Sequence, residues 1–409
     1  MAGVNIGNVG LTFTKFLDGV VETLNHTSKS RNLVSKGKPW SGSHIEGKIH
    51  VGRSTAIGYV EDGGAFPIAD KQDYVAYKAA RKFIVGSIQL TDGAMATAAK
   101  SPQVARDVIT SEVQGMMNNI LKFENGFFFR DGSGTVATLT DGMTAGQTTD
   151  IQVDDARMLW DGGTYTQMPA DMLTTDGDVT VANVESALHS SGDALINTST
   201  GLPVLSAASD VLVWKGAANR AITGLDKLID DSASTFQDVD VAAYPRYGSL
   251  VLDNGGTNRA LSPGLFRSML AGLMAKSGSE RPSDGLKVLC NSWQAINVEE
   301  LYEGDLRLTP DSKVGGMSVA SFQSSLGRVD IMVDTDCLYN KMFFCDFSKI
   351  HRAVQKQLGW RREGGSIFKR SDVAGVWTAT ALEIAELYIK ERHTSGKIAD
   401  LTEAKVTAY

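Results

Sequence analysis

The stretch SPQVARDVITSEVQGMMNNILKFENGFFFRDGSG, residues 101–134, carries a long helical pattern that ends abruptly. Ser101 and Pro102 form a helix start, because a serine hydroxyl can accept an orphan amide hydrogen bond and proline is tolerated at the first helical position. Apolar residues then recur at spacings of three, four and seven, which places them on one helical face. These residues are Val104, Val108, Ile109, Val113, Met116, Met117, Ile120, Leu121, Phe127 and Phe128. A helix from Pro102 to about Phe128 would be roughly 40 Å long.

Composition is that of an ordinary globular chain, but its charge is unevenly spread. Of 409 residues, 42% are hydrophobic and 21% are charged. Residues 135–240 hold 16 acidic and 4 basic side chains, a net charge of −12, which leaves +5 for the rest. The N-terminus lacks the pattern of a signal peptide, and no apolar run is long enough to span a bilayer. Cys290, Cys337 and Cys345 are too few and too widely spaced to indicate a disulfide framework or a zinc site.

The first ninety residues predict an arm followed by a long hairpin. Residues 1–43 contain one short helical run, TKFLDGVVETL, and a polar, basic stretch that cannot build a core alone. SHIEGKIHVG and DYVAYKAARKFIVGSIQLT then flank the Gly-rich segment EDGGAFPIADKQ, and both have β-prone character. An isolated two-stranded ribbon is marginal in water, so the hairpin is expected to lie on its own subunit or on a neighbour.

The remaining chain predicts a β section and then a mixed body. Residues ~140 to ~215 alternate short strands such as DIQVDD, GDVTVANV and DVLVWKG with polar turns, which is typical of a small barrel or sandwich. SPGLFRSMLAGLMAKSG predicts a helix ending at Gly278, GLKVLCNS a buried strand, and SWQAINVEELY a shorter helix. The run VWTATALEIAELYIKER favours a strand, although its second half could be helical. We expect mixed α and β structure without regular alternation.

Motifs that carry chemistry are absent apart from one short constellation. His44, Glu46 and His50 in HIEGKIH would share one face of a strand, so a metal site there is geometrically possible. The downstream cysteines of zinc deaminases and the His-Glu-x-x-His of metalloproteases are both missing, and a solvated hairpin is favoured. Phosphate loops and a nucleophile elbow are also missing. We therefore predict a non-enzymatic protein without cofactor or metal, whose function is to contact other chains.

The ordered series of elements resembles the major capsid protein of tailed bacteriophages, with its Hong Kong 97-type fold. The segment from KPWSGSHIEGKIHVG to GSIQLT, residues 38–91, resembles the extended loop of that family, and residues 101–134 resemble its spine helix and the turn that follows. PSDGLKVLCNSWQAINVEELY and GRVDIMVDTDCLYNKMFFCDFSKI are similar to its core. Phe127, Phe128 and Phe129 would then end the spine helix where the peripheral domain, extended loop and axial domain meet, and RDGSG would supply a positive-φ turn.

The resemblance implies an α+β capsid fold divided into six parts. These are an N-terminal arm at 1–43, an extended β-hairpin loop at 44–91, the spine helix and peripheral domain at 92–139, an inserted small β domain at 140–215, the axial domain and core at 216–350, and C-terminal strands of the body at 351–409. The implied subunit contacts lie in the hairpin. Their residues are Glu61, Asp62, Phe66, Pro67, Lys71, Lys78 and Arg81.

The implied function is self-assembly into hexamers and pentamers of an icosahedral shell around double-stranded DNA, which is enclosed without sequence-specific binding. The implied partners are other copies, a portal, a separate scaffolding protein and, optionally, a decoration protein. Assembly would take place in the bacterial host cytoplasm, with no membrane contact. Because the hairpin starts near residue 44, we expect no cleaved scaffolding segment. Lys71 and Lys78 lie where some relatives form cross-links, but we predict none, so a denaturing gel should show no covalent ladder.

Three other functions remain open from the sequence. A bacterial nanocompartment shell protein would have a similar fold but would enclose protein cargo, and the extra β section mildly favours the virus. A tail or adhesin subunit would explain the β section but not the long helix. A metal-dependent hydrolase would use His44, Glu46 and His50, and would have to bind zinc that is lost on His50→Ala.

Overall fold

The structure is a computed structural model, which describes most of the chain with gaps. It describes residues 33–37, 40–93, 112–113, 115–117, 119–120, 123–140, 151–155, 158, 168–173, 179–190, 193–198, 211–214, 216–279, 285–302, 313–314, 317–324, 326–362, 367–370 and 375–403. The predicted helix of the arm and the first part of the predicted long helix, residues 101–111, lie outside these ranges.

Strands are numbered β1 to β22 and helices α1 to α3 in chain order. The strands are β1 Ser35–Lys36, β2 His44–Gly52, β3 Asp73–Ala80, β4 Lys82–Thr91, β5 Thr135–Thr138, β6 Ile151–Val153, β7 Met168–Leu173, β8 Val179–Ser190, β9 Asp193–Thr198, β10 Val211–Trp214, β11 Thr235–Phe236, β12 Val239–Asp240, β13 Leu250–Leu252, β14 Leu286–Cys290, β15 Lys313–Val314, β16 Met317–Ser324, β17 Gly327–Val333, β18 Met342–Asp346, β19 Ile350–Trp360, β20 Phe368–Arg370, β21 Val376–Ile389 and β22 Gly396–Ile398. The helices are α1 Leu225–Leu228, α2 Pro263–Ser277 and α3 Ser292–Tyr302.

Two compact units are built from segments that alternate along the chain. Unit 1 comprises Met1–Pro39, Lys82–Gly224 and Arg352–Glu386. Unit 2 comprises Trp40–Arg81, Leu225–His351 and Leu387–Tyr409. The six-part linear division expected from the resemblance stays a prediction.

One sheet of unit 1 has the strand order β1-β19-β21-β20, and β4 also pairs with β21. The two strands are antiparallel, from Lys82 opposite Ala385 to Thr91 opposite Val376. Ile84, Ile88 and Leu90 of β4 are buried, while Val85, Ser87 and Gln89 are exposed, which is the alternation of a half-buried strand. The prediction of one hairpin over residues 44–91 is therefore corrected: β4 belongs to the sheet of unit 1, because it pairs with β21 along its whole length and buries one face there. The strand alternative for VWTATALEIAELYIKER is the correct one.

A six-stranded antiparallel sheet follows in unit 1, with the strand order β5-β10-β7-β8-β9-β6. Its two end strands meet through a bridge between Leu139 and Val153, where the Thr140 amide donates to the Gln152 carbonyl (3.2 Å) and the Asp154 amide to the Thr138 carbonyl (2.8 Å). The six strands thus close into a ring. The alternating pattern predicts a small barrel or sandwich, and the closed ring corresponds to the barrel alternative.

The three consecutive phenylalanines end a helical stretch and are buried in unit 1. Residues 112–113, 115–117, 119–120 and 123–128 are helical, and Phe127, Phe128 and Phe129 are 1%, 6% and 1% exposed. After them Gly132 and Gly134 both have φ +89, as the RDGSG pattern predicts, and the Asp131 carboxylate accepts hydrogen bonds from the Ser133 amide and hydroxyl. The position of these residues at a junction of three domains stays a prediction.

Unit 2 contains a seven-stranded mixed sheet, β13-β22-β18-β14-β17-β16-β15, packed against α2. The Ser262 hydroxyl accepts a hydrogen bond from the Leu265 amide at the start of α2, and Gly278 ends it with φ +68. Phe266, Met269 and other apolar residues of α2 are buried against the sheet. The predicted helices α2 and α3 and the predicted strand β14 are confirmed.

Candidate functional site: the exposed loop of the hairpin

The hairpin of β2 and β3 forms a two-stranded sheet of its own and presents a long connection to solvent. Its register places Glu46 opposite Lys78 and Gly47 opposite Tyr77. Residues 53–72, which we call the tip loop, connect the two strands without helix or strand. The prediction of a hairpin is thus confirmed for residues 44–80.

Large apolar side chains of the tip loop are almost completely exposed. Ile57 is 90% exposed, Tyr59 110%, Phe66 88% and Ile68 91%, and Val60 is 41% exposed. Single exposed apolar residues are normal on a protein surface, but a group of them within one loop marks an interaction site. The tip loop is therefore the strongest candidate for a binding surface in the described part of the chain.

Asp70 joins the two ends of the tip loop through hydrogen bonds to Ser54 and Thr55. Its Oδ2 accepts hydrogen bonds from the Thr55 amide (3.1 Å) and the Thr55 hydroxyl (2.9 Å), and its Oδ1 accepts one from the Lys71 amide (2.8 Å). The Ser54 hydroxyl donates to the Asp70 carbonyl (3.1 Å). These bonds join the two sides of the loop where it leaves the strands.

The Asp70 contacts predict a dependence of loop order on pH. Hydrogen bonds to the carboxylate, chiefly from the Thr55 amide, hold the pKa of Asp70 below its usual value. Because the folded pKa is lowered, the ordering is present above the ordinary range of an aspartate and is lost as the pH falls through the lowered pKa. We expect Asp70→Asn to accelerate amide exchange of residues 53–72 several-fold at neutral pH, as measured by mass spectrometry. Asp62→Asn at the tip is the control, and equal exchange in both variants would contradict the role of Asp70.

The residues implied as subunit contacts lie on the exposed hairpin. Glu61 and Asp62 form the turn at the tip, where the Gly64 amide donates to the Glu61 carbonyl (2.8 Å), and Phe66, Pro67 and Lys71 follow as exposed residues. Lys78 and Arg81 lie at the root of the hairpin instead. As subunit contacts, all seven stay a prediction.

Lys78 is already engaged within its own chain. Its Nζ lies 3.1 Å from Asp238 Oδ2, and this hydrogen bond holds the pKa of Lys78 above its usual value. A lysine must lose its proton before it can attack as a nucleophile, so this arrangement disfavours cross-linking through Lys78.

His44, Glu46 and His50 are not brought together as one group of side chains on the hairpin. His44 Nε2 lies 2.7 Å from Glu46 Oε1, whereas His50 Nε2 bonds Gln72 Oε1 at 2.5 Å and its ring lies against Tyr74. Within the residues that the structure describes, no three His, Cys, Asp or Glu side chains are grouped so that they could hold a metal ion. The geometry gives no support to the hydrolase alternative.

Unit 1 contains a groove with a volume of about 1180 Å³. Its walls are β4, helical residues between 112 and 123, and residues 214, 216–217 and 220–222. Phe83, Met116, Ile120, Phe123 and Trp214 supply apolar lining, and Glu112 and Arg220 supply charged groups of opposite sign.

Comparison with known proteins identifies the family. The sequence pattern of the SU10 major capsid protein matches residues 112–369, more than half of the chain. The chain belongs to the SU10 major capsid protein family. It therefore has a structural role in a bacteriophage capsid. None of the described helices is long and apolar enough to cross a membrane.

Several solved capsid structures are similar to this chain at low sequence identity. The structure titled "Cyanophage A-1(L) capsid asymmetric unit" is 12% identical with a TM-score of 0.56, covering 92% of this chain and 94% of that one. The capsid of the native GTA particle is 8% identical with a TM-score of 0.46 (92% and 91% covered), and that of Mycobacterium phage Bobi is 8% identical with 0.41 (90% and 88%). No curated protein matches the chain. The first of these structures shows a phage-capsid fold of mixed α and β elements.

The sequence predicts contacts in the same segment that the structure exposes, but the predicted set omits three of its most exposed apolar residues. Ile57, Tyr59 and Ile68 were absent from the predicted set, although each lies beside glycine, alanine or proline in a segment without alternation. Apolar residues that follow neither a helical nor a strand period have no core of their own to enter. That absence of periodicity was the available signal.

Proposed function

We propose that copies of this chain assemble head to tail into hexamers and pentamers, which close into an icosahedral shell around double-stranded DNA. In this arrangement the tip loop of one subunit lies on the adjacent subunit. Head-to-tail contacts related by rotation generate closed rings. The exposure of Ile57, Tyr59, Phe66 and Ile68 carries the proposal.

Burial of these side chains would contribute substantially to each contact. Fully burying one large apolar side chain is worth roughly 1.5–3 kcal/mol, so four of them provide on the order of 10 kcal/mol before the cost of ordering the loop. Many such contacts act together in a closed shell. Burial of the tip loop against another subunit thus provides free energy for assembly, which the exposed loop of a single subunit does not gain.

The groove of unit 1 is the surface that we propose receives the tip loop of a neighbour. Its lining offers Phe83, Phe123 and Trp214 to apolar side chains, and Arg220 is exposed beside them. The tip of the loop carries Glu61 and Asp62, opposite in charge to Arg220. Because Glu112 also lines the groove and offsets the charge of Arg220, apolar complementarity is what favours a second copy of this chain as the occupant.

Replacing Ile57, Tyr59, Phe66 and Ile68 with serine should abolish shell assembly. Because all four side chains are exposed, we expect the unfolding midpoint of the unassembled protein to change little. Analytical ultracentrifugation would measure the loss of large assemblies. The paired variant Glu61→Gln and Asp62→Asn keeps the apolar surface and should assemble with a smaller defect. Normal assembly of the four-serine variant would contradict the role of the loop.

The other parts are assigned by resemblance to the Hong Kong 97-type fold. Helical residues ending at 128 act as the spine helix, the arm of residues 1–43 reaches another subunit, and the acidic β section of residues ~140 to ~215 projects away from the DNA. A portal, a separate scaffolding protein and an optional decoration protein complete the particle, which assembles in the host cytoplasm. The net charge of −12 in residues 135–240 supports the outward placement, because like charge repels DNA.

Electron microscopy of the purified protein, with an assay for nuclease-resistant DNA in the same particles, tests the shell proposal. Closed icosahedral particles that protect DNA are expected. Shells holding only protein would instead establish a nanocompartment, and a monodisperse monomer under all assembly conditions would overturn the proposal.

A further inference from the structure

Three contacts fasten the hairpin to the rest of unit 2 at two adjacent residues. The Lys78 amide donates to the Gln237 carbonyl (2.8 Å), and Lys78 Nζ lies 3.1 Å from Asp238 Oδ2. The ring of Tyr77 stacks on that of Tyr388, with centroids 5.9 Å apart and an interplanar angle of 21°. A two-stranded ribbon is only marginally stable alone, so its attachment decides where it points.

Tyr77 is buried between the hairpin backbone and unit 2. It is 4% exposed, and burial raises the pKa of its phenol to about 12. Its ring lies across Gly47 on the opposite strand, where a Cβ would come closer than 3.0 Å to several ring atoms. The glycine therefore makes the space that lets the ring lie flat between β2 and Tyr388.

The turn that receives Lys78 has an unusual backbone. Gln237 has φ +48 and Asp238 φ +68, both in the left-handed region, where glycine is normally preferred. Such residues cost of order 1 kcal/mol or more each and persist only when their surroundings hold them. This turn carries the two groups that contact Lys78, the Gln237 carbonyl and the Asp238 carboxylate.

Arg392 and Gln237 hold the turn in place. The Arg392 guanidinium is buried and lies 4.1 Å from the centre of the Phe236 ring, directly before the turn. It also donates to the carbonyls of Leu228 (2.8 Å) and Lys227 (3.0 Å), which ties it to α1. The side-chain amide Nε2 of Gln237 donates to the Leu387 carbonyl (3.3 Å). These contacts within unit 2 hold the turn of Gln237 and Asp238, and the hairpin packs against this turn.

We propose that Tyr77 and Asp238 are positioning residues. They fix the direction in which the hairpin projects from the rest of unit 2 before subunits meet. The buried ring of Tyr77 holds the base of the hairpin against Tyr388. The half-exposed ion pair of Lys78 and Asp238 is a second, weaker contact that salt or substitution can break. The importance of this direction for assembly rests on the proposed function, whereas the fastening itself is a property of the single chain. A fixed direction lowers the ordering cost when the tip loop docks.

Distance measurements on the unassembled protein test the fastening. Spin labels at Glu61→Cys and at Ser268→Cys on α2 should give one narrow distance distribution by pulsed electron paramagnetic resonance. Tyr77→Ala and Gly47→Ala should broaden it strongly, because both remove the ring from its place, while Tyr77→Phe should leave it unchanged. Asp238→Asn should broaden it less. High salt should do the same in the unsubstituted chain, because salt screens an exposed ion pair.

Arg328→Gln provides the control for loss of a surface ion pair, since Arg328 contacts Asp330 at 3.3 Å in β17. We expect this variant to keep the narrow distribution. Tyr77→Ala should also slow shell formation, by about tenfold if a pre-ordering term near 1.4 kcal/mol is lost. A narrow distribution in Tyr77→Ala, or broadening with an unchanged assembly rate, would overturn the proposal. If the unsubstituted chain forms no shells, the proposed function fails, yet the distance measurement still decides whether the fastening exists.

Discussion

Gly224→Ala should destabilise unit 1 by about 3 kcal/mol or more, because a backbone collision cannot be relieved by side-chain rotation. A Cβ on Gly224 would come closer than 3.0 Å to the carbonyl oxygens of Phe127, Phe128 and Arg130. These carbonyls lie where the helical residues end. The next residue back, Thr223, is also fixed, since its amide donates to Glu386 Oε1 (3.0 Å). Movement away from the helix end would therefore break a second contact.

Gly115→Ala is the matched control for Gly224→Ala. Gly115 is a helical residue of the same unit with nothing within 4 Å of an added Cβ. The exchange should stabilise the chain by up to about 1 kcal/mol, because alanine is the better helix former. Chemical denaturation of the unassembled proteins, followed by tryptophan fluorescence, would give both midpoints. Equal midpoints for the two variants would contradict the packing at Gly224.

The helix-ending turn shows how far the sequence could lead. The buried phenylalanines and the positive-φ glycines after them were predictable, because apolar spacing and Gly-Asp turn chemistry are local properties. Gly224 was not, since it lies almost a hundred residues later and its importance comes from close approach to the helix end. One sequence does not show which distant glycine meets which carbonyl.

The strand from Asp73 to Thr91 shows a different limit. Residues 73–91 read as one β-prone run, but the structure divides it near Arg81, so that β3 pairs with β2 and β4 with β21. Both halves satisfy strand propensity equally well. Only the partner strands, one nearby and one almost three hundred residues away, separate them. The exposed loop was predictable as a segment, whereas the contacts of Tyr77 and Lys78 required the pairing to be known.

Arg352→Met should cost roughly 3–5 kcal/mol of unfolding free energy, because it removes a cation that bonds two buried carboxylates. Arg352 Nη2 lies 2.6 Å from Glu383 Oε1 and also bonds Glu124 Oε1, and all three side chains belong to unit 1. Glu383 is completely buried and Glu124 is 8% exposed. Arg328→Met, which breaks a half-exposed ion pair with Asp330, should cost less than about 1 kcal/mol and serves as the control.

The triple variant Arg352→Met, Glu124→Gln and Glu383→Gln separates the charge of the two buried carboxylates from the packing and hydrogen bonds of Arg352. If the cost of Arg352→Met comes mainly from the two buried carboxylates, neutralising both should recover most of it, since replacing a whole buried ion cluster is often nearly neutral. Denaturation midpoints of the single, control and triple variants would be compared. If the triple variant is no more stable than Arg352→Met, the contribution of Arg352 is instead its own packing and hydrogen bonds. Those join residue 352 near the start of β19 to Glu383 in β21, two strands of one sheet in unit 1.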